Sequence, residues 1–579
     1  MNLGWTLRIL RGPMRPFLVR KLVDRVREVY EVRRARSRVP TMPSEGRSLR
    51  DNIVPLPSPA WFAVNGARVL AFARKMRSGL VGAYGIDRWS VGDPDPQEVD
   101  VRSVHELSRM HHWCAYALAA HIDGINRDEW CDLLEREITE FMTSYPVGTG
   151  THWKFPMGTG IRLHSMLVAW DWARRSGWSS VDGDRIVAAT TIDHAELTFA
   201  ERESRGGLST SHYAANLLGV LAAGAYLEGH PSATTWLRVS ASELRSEMLR
   251  QILADGMTNE ASTGYHRQIV DTFMQAALLL HEVGGDRQIA APERTVLIAA
   301  LARCRQLESM GMPLIGDNDD GLAMKLSGLM ADMSYTVDVA QRLFGAAALI
   351  RSTTDMESFG LYILSGQGIE CSLRNGPVGQ FGKGGHAHND QNSLTVRVDG
   401  RWFVVDPGTS VYTRDVDARN RERSVSMHST MWPATSEQGA YPPGAAGLFW
   451  MLDDRMQRSV QRSDDAAVRG EVFRPDVGRH VRDLAIDAEG LVGRDRFEAV
   501  DGVTAECVFI LHPDVAVESM QGAGLRLTHD GVRVRLDWSG GVGTLDECHV
   551  CDRFASQRTA RRLRIVGNDV SWSIRPDRP

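Results

Sequence analysis

The stretch Gly382–Gly408 reads GKGGHAHNDQNSLTVRVDGRWFVVDPG. Leu394, Val396 and Val398 alternate with polar residues and predict one face of a strand, with Phe403 and Val405 on its partner. Asp399-Gly400 between them is a tight-turn signal. Pairing Val398 with Arg401 sets Leu394 opposite Val405 and Ser393 opposite Asp406. The hairpin then returns Asp406 beside the glycine-rich approach that carries His386 and His388. A bend at Asn389-Asp390 is needed to bring both histidines to one sheet end.

Downstream, the same period of two continues. SFGLYILSG, ECSLRNG, TAECVFILHP, LRLTHDGVRVRLDW and RRLRIVG are short alternating segments, with Asp-Gly pairs at 399–400, 501–502 and 530–531. They predict a large antiparallel β-sandwich over residues 351–579. Upstream the period is 3.6. Leu107, Met110, Cys114, Ala117 and Leu118 share a face, as do Leu133, Leu134, Ile138 and Phe141, and Leu237, Leu244, Met248 and Ile252. Consecutive antiparallel helices over residues 61–350 predict an incomplete (α/α) toroid with a groove at one end; a helical solenoid is the alternative.

Residues 1–60 form a third region. Its first 50 residues hold 13 Lys or Arg against 4 Asp or Glu, and Leu18, Leu22, Val23 and Val26 lie among them as a short amphipathic helix. Pro40, Pro43, Pro55, Pro57 and Pro59 follow and mark a linker. The whole chain has 67 basic and 72 acidic residues, net −5, which gives no field suited to nucleic acid. No apolar run reaches the length of a membrane span. The amino terminus has arginines and prolines where an export signal needs its apolar segment, which points to the cytoplasm. Seven cysteines do not make a disulfide scaffold, and Cys548-His549-Val550-Cys551 reads as strand cysteines. No glycine fingerprint for a nucleotide or other organic cofactor is present.

Three polar clusters interrupt the helical half. His212 and Asn216 stand one turn apart at the start of an apolar helix, behind Ser209-Thr210-Ser211. Asn259 to Arg267 is a polar turn that carries Glu260, Tyr265 and His266, with Tyr265 in the first turn of the next helix. His152-Trp153-Lys154 and Arg162 combine an aromatic with cations, which suits a sugar ring bearing a carboxylate; burial of Trp153 between helices, with Arg162 solvated, is the other reading. Gly316-Asp317-Asn318-Asp319-Asp320-Gly321 lacks the glutamate of a calcium loop and reads as a hydrogen-bonded rim turn.

Gly385-His386-Ala387-His388-Asn389-Asp390 with Ser393, then Val405-Asp406-Pro407-Gly408 with Tyr412, then Arg423 to His428-Ser429-Thr430, together resemble the heparinase II/III family of polysaccharide lyases. The resemblance implies a toroid followed by a sandwich, work in the bacterial cell envelope, and β-elimination on an acidic, uronate-containing polysaccharide. It implies Tyr265 as catalytic base or acid, assisted by His386, with Ser211, His212 and Asn216 at the substrate carboxylate. Ser211 stands where relatives commonly have Asn, and a hydroxyl offers fewer donors than an amide. His152, Trp153, Arg162, Glu260 and His266 are the substrate-binding candidates. His388, Asp406 and His428 match positions that bind a structural zinc in some relatives; a metal-free His-Asp network is the alternative.

Such a lyase removes the proton on C5, and charge builds on the adjacent carboxyl group. A base takes that proton and an acid protonates the leaving glycosidic oxygen, which Tyr265 does once positive charge lowers its pKa. Two other functions compete. A glycoside hydrolase needs two groove carboxylates, for which Glu260 and Asp317 are the nominees. A non-catalytic glycan-binding protein is favoured by Ser211.

Overall fold

The computed structural model describes residues 48–204, 208–352, 355–452, 455–500, 502–519 and 522–577. The amphipathic segment around Leu18–Val26 lies outside them.

Among the described residues eleven helices build the first half: α1 (Pro59–Arg77), α2 (Val101–Leu107), α3 (His111–Ile122), α4 (Arg127–Ser144), α5 (Pro156–Arg175), α6 (Val181–Ala200), α7 (Ser211–Tyr226), α8 (Ala233–Gln251), α9 (Thr263–Val283), α10 (Ala291–Ser309) and α11 (Ser334–Phe344). Helices α1, α3, α5, α7, α9 and α11 pack each on the next, and α11 returns to α1. Outside this ring α4, α6, α8 and α10 cover α3, α5, α7 and α9. Among the described residues α1 and α11 have no outer partner, so the two-layer toroid is incomplete.

Inner helices α5 and α7 are enclosed by protein on nearly every side. Helix α5 is buried from Pro156 through Ala173, and α7 buries every residue except His212. The α5–α7 crossing is tight enough that a Cβ on Gly219 would lie 2.4 Å from the Gly160 carbonyl oxygen. No helix among the described residues is long and apolar enough to cross a membrane.

Two expectations are corrected here. The face running from Leu107 to Leu118 spans two helices, because Met110 adopts φ +53° between α2 and α3 and breaks the ladder. The described end of the proline-bearing segment is held rather than slack: the Asp171 carboxylate on α5 accepts the N–H groups of Asn52, Ile53 and Val54 at 2.8, 3.0 and 2.9 Å, while Pro40 and Pro43 lie outside the described residues.

In the second half an eight-stranded antiparallel sheet runs in the order 516–519, 524–529, 532–539, 569–576, 491–499, 478–486, 467–474, 457–464. Facing it are two four-stranded sheets, one of strands 361–366, 369–374, 393–398 and 401–404, the other of strands 542–553, 556–566, 506–510 and 431–432. A bridge between Val404 and Leu511 joins these two. Cys371, Leu394, Phe403, Phe509, Leu536 and Trp572 fill the space between the layers. Cys548 and Cys551 lie on one strand, buried and unpaired.

The 393–404 hairpin departs from the expected register. Val398 does face Arg401, across a turn with Asp399 at φ +43° and Gly400 at φ +79°. Beyond Arg397–Trp402, however, a bulge puts Val396 opposite Val404, which shifts every later pair by one. Val405 then donates its N–H to Ile510 at 2.9 Å, so the chain crosses into the neighbouring sheet instead of facing Leu394. This crossing carries Asp406 toward His428.

Candidate active site between ring and sandwich

The segment Gly316–Gly321 is the joint between the halves, and its aspartates are buried rather than on a rim. The Asp317 N–H donates to the His386 carbonyl at 3.0 Å. Its carboxylate meets His386 Nδ1 at 2.9 Å, His388 Nε2 at 3.0 Å, the Thr409 hydroxyl at 3.2 Å and both terminal nitrogens of Arg419, one of them at 2.8 Å. Arg419 comes from α12 (Val416–Glu422). Burial alone would raise the Asp317 pKa, but Arg419 and the two histidines hold it well below the usual carboxylate range. One carboxylate from the helical half thus orders two imidazoles from the sandwich. The required bend in the histidine approach falls at Asp390–Ser393, where Ser393 N–H bonds to Asp390 and Asn392 takes φ +57°.

Above this joint lies a cleft of about 610 Å³ lined by both halves. Ser262 caps α9 by accepting the Tyr265 N–H at 3.1 Å, which fixes Tyr265 in the first turn. The Tyr265 ring stacks on His386 with centroids 3.6 Å apart and planes 19° from parallel. Its hydroxyl is 3.3 Å from that of Tyr412. All three side chains line the cleft. Burial, with Asp319 and Asp317 nearby, pushes the Tyr265 phenol well above its usual pKa, and the positive charge of Arg102 only partly opposes this. Burial and the two carboxylates thus outweigh the positive charge that was expected to lower that pKa.

The other predicted residues divide. His212 lines the cleft, with Nδ1 3.0 Å from Glu203 Oε1. Ser211, beside it, is buried. Its N–H donates to Glu260 Oε1 at 2.9 Å, and its hydroxyl has no partner among the described residues and is not part of the cleft lining. Asn216 is buried one turn on and clamps Glu203, accepting its N–H at 2.9 Å. Glu260 sits under the cleft, engaged by Gln380 Nε2 at 2.6 Å and 3.6 Å from His386 Nε2.

Trp153, Arg162, His152 and His266 lie away from the cleft lining. Trp153 donates to the Tyr145 carbonyl at 2.9 Å and His152 pairs with Asp95 at 2.8 Å. Arg162 is fully buried, bonded to His194, the Ser108 carbonyl and the His152 carbonyl, with its guanidinium 4.7 Å from the Trp153 ring centre. Apolar surroundings took the aromatic, and the cation followed it inward onto carbonyls. His266 is buried in α9, and burial lowers its pKa to about 3. Of that cluster only Lys154 reaches the cleft.

Sequence reasoning missed Arg419 and Arg102, missed Tyr412 as a site residue, and gave Asp317 only as part of a rim turn and as a hydrolase nominee. Arg102 lines the cleft and binds Asp319 through Nε at 3.0 Å and Nη2 at 2.5 Å. Tyr412 stood inside a quoted motif, so that signal was available. The two arginines carried none, since each acts through a carboxylate remote in the chain.

His388, Asp406 and His428 form a second buried cluster behind His386, with one ligating atom of each within 4.8 Å of the others. His388 Nε2 faces Asp317, and His428 Nδ1 lies 2.8 Å from the Ser424 carbonyl. Those partners take the ring protons and leave two lone pairs, His388 Nδ1 and His428 Nε2, facing each other at 3.3 Å. His428 Nε2 is 3.5 Å from Asp406 Oδ2. Ligands 2.0–2.1 Å from a tetrahedral centre stand about 3.3–3.4 Å apart, so the spacing and donor set fit a zinc ion.

Two family models match the chain: "Heparinase II/III N-terminus" over residues 94–301 and "Heparinase II/III-like, C-terminal" over residues 351–573. A heparin-sulfate lyase of Pedobacter heparinus is 27% identical over 217 residues, which is 34% of this chain and 32% of that protein. The aligned part thus spans about a third of that relative's length. Among solved structures, heparinase III superposes with TM-score 0.66 at 15% identity, covering 95% of this chain and 89% of the other. The heparan sulfate lyase HepC from Pedobacter heparinus gives TM-score 0.55 at 14% identity, covering 98% and 91%. At these identities the superpositions establish the fold, a toroid followed by a β-sandwich.

Proposed function

Since the chain belongs to the heparinase II/III-like family, carrying both its regions in order, we propose that it is a carbon–oxygen lyase that cleaves a uronate-containing acidic polysaccharide by β-elimination. The observation that carries this reading is the face-to-face contact of Tyr265 and His386, from opposite halves, in one cleft. His386 donates Nδ1–H to Asp317, which leaves Nε2 as the basic nitrogen. That nitrogen takes the C5 proton. The C5–H electron pair forms the C4=C5 double bond as the C4–O bond breaks, and the Tyr265 phenol gives its proton to the departing oxygen. Tyr412, 3.3 Å away, donates to the phenolate that results, and solvent returns the proton balance after product leaves.

We include a structural zinc held by His388, Asp406 and His428 in this reading. Bound there, it contributes rigidity rather than a reaction step: it fixes the backbone that carries His386, two residues from His388. A hydrolase is less well supported, because its nominated acid pair is already engaged: Asp317 by Arg419 and Glu260 by Gln380 and Ser211. Incubation with a panel of acidic glycans decides the matter. The expected result is ultraviolet absorbance from an unsaturated uronate; new reducing ends without that absorbance would sink the elimination reading.

A further inference from the structure

The cleft holds two carboxylate–imidazole couples, not one. His386–Asp317 spans the halves, whereas His212–Glu203 lies wholly in the helical ring, and both residues of the latter line the cleft. Glu203 is itself fixed: its N–H donates to Asn216 Oδ1 at 2.9 Å, and Asn216 Nδ2 reaches its Oε2 at 3.4 Å. His212 is the one residue of α7 that is not buried. The helix is otherwise consumed in packing, so this couple is presented to the cleft by an immobile frame.

The cations lining the same cleft are largely committed elsewhere. Arg102 is bound to Asp319 and, at 2.8 Å, to Glu106; Arg109 meets Glu106 at 2.6 Å. The Ser211 hydroxyl does not line the cleft. Around His212 the remaining titratable or charged lining groups are Glu201, His105, Lys154, Tyr265 and Asp319 from the helical half, and Lys383, His386 and Tyr412 from the sandwich. Outside the His386–Asp317 couple, His212 is the imidazole among the described lining residues that combines access with a fixed anionic partner.

We propose that Glu203 is a positioning residue that holds His212 by Nδ1–H so that Nε2–H donates to the uronate carboxylate during elimination. With substrate bound, the ring lies between two carboxylates, Glu203 and the sugar's, and Nε2 carries a proton taken from solvent as the sugar's carboxylate arrives. Charge developing on the carboxyl group as C5 loses its proton is then met by a full positive charge. This supplies what Ser211 and Asn216 do not. The inference rests on the lyase reading above.

The test has two arms. On a uronan substrate, Glu203→Gln is expected to lower kcat about 10²-fold with KM within about threefold. On the methyl-esterified uronan, which has no carboxylate to neutralise, the same substitution is expected to cost less than about threefold; an equal loss on both substrates would assign Glu203 to structure alone and overturn the proposal. The second arm needs no turnover: nitrogen-15 NMR of histidine-labelled protein is expected to find neutral His212 protonated at Nδ1, moving to the Nε2–H form in Glu203→Ala. A neutral wild-type His212 protonated at Nε2 in place of Nδ1 would overturn the proposal even if elimination is observed. Absence of elimination on every uronan, with the Nδ1–H form present, would instead refute the lyase reading and with it the role at the carboxylate.

Discussion

His388 and His428 turn bare ring nitrogens toward each other at 3.3 Å inside a buried pocket, with the Asp406 carboxylate beside them. The proposed zinc would take both lone pairs and the carboxylate as ligands. The protein as purified is expected to contain about one zinc per chain by elemental analysis, and chelation is expected to lower its melting temperature by several degrees, as loss of a ligand bound only by the native state requires. A fully folded protein with no metal, indifferent to chelator, would remove zinc from the account.

Tyr265→Phe keeps the ring stacked on His386 and deletes only the hydroxyl that faces Tyr412. Turnover is expected to fall by about 10²–10⁴-fold, the usual contribution of a positioned acid. Melting temperature and oligosaccharide binding are expected to stay near wild type, because the hydroxyl makes one long contact of 3.3 Å. Retained turnover would mean that the leaving oxygen takes its proton from another group.

The fold was legible because each half keeps one period. Alternation over segments such as SFGLYILSG and RRLRIVG became paired strands, and the 3.6-residue period became the ring. Motif context singled out Tyr265 and His386, which the fold brings face to face. What escaped was whatever depended on a partner far along the chain. The bulge that moves Val396 onto Val404 leaves no mark in the alternation. Asp317 looked like part of a surface turn, because its partners Arg419, His386 and His388 lie about 70–100 residues away. The Trp153–Arg162 pair failed for a related reason: an aromatic beside cations looks the same whether it faces a sugar or the interior of a helical ring.

Asp193 on α6 gives a pH test outside the cleft. Burial, with Glu196 nearby, raises its pKa from 3.8 to about 6. A carboxyl whose pKa is higher in the folded state favours folding when protonated, so its cost is absent below about pH 4 and complete above about pH 6. Asp193→Asn is therefore expected to stabilise the protein by about 1–2 kcal/mol at pH 7, after allowance for the side chain's partial exposure, and by nothing at pH 4. Denaturant unfolding at the two pH values measures this; an equal gain at both would assign the effect to something other than charge.

Asp317→Asn preserves shape but removes the charge opposite Arg419, which is fully buried on α12. A buried guanidinium left without its anion costs about 3–5 kcal/mol, so the single variant is expected to unfold at markedly lower denaturant and to lose elimination activity. Those two losses have different causes and can be separated. In Asp317→Asn combined with Arg419→Met, no uncompensated charge remains, and much of the stability is expected to return. Activity is not, because His386 still lacks the carboxylate that holds its Nδ1 proton, and a neutral amide does not favour a protonated ring. If the double variant regains turnover along with stability, Asp317 serves only to join the two halves, and His386 works without it.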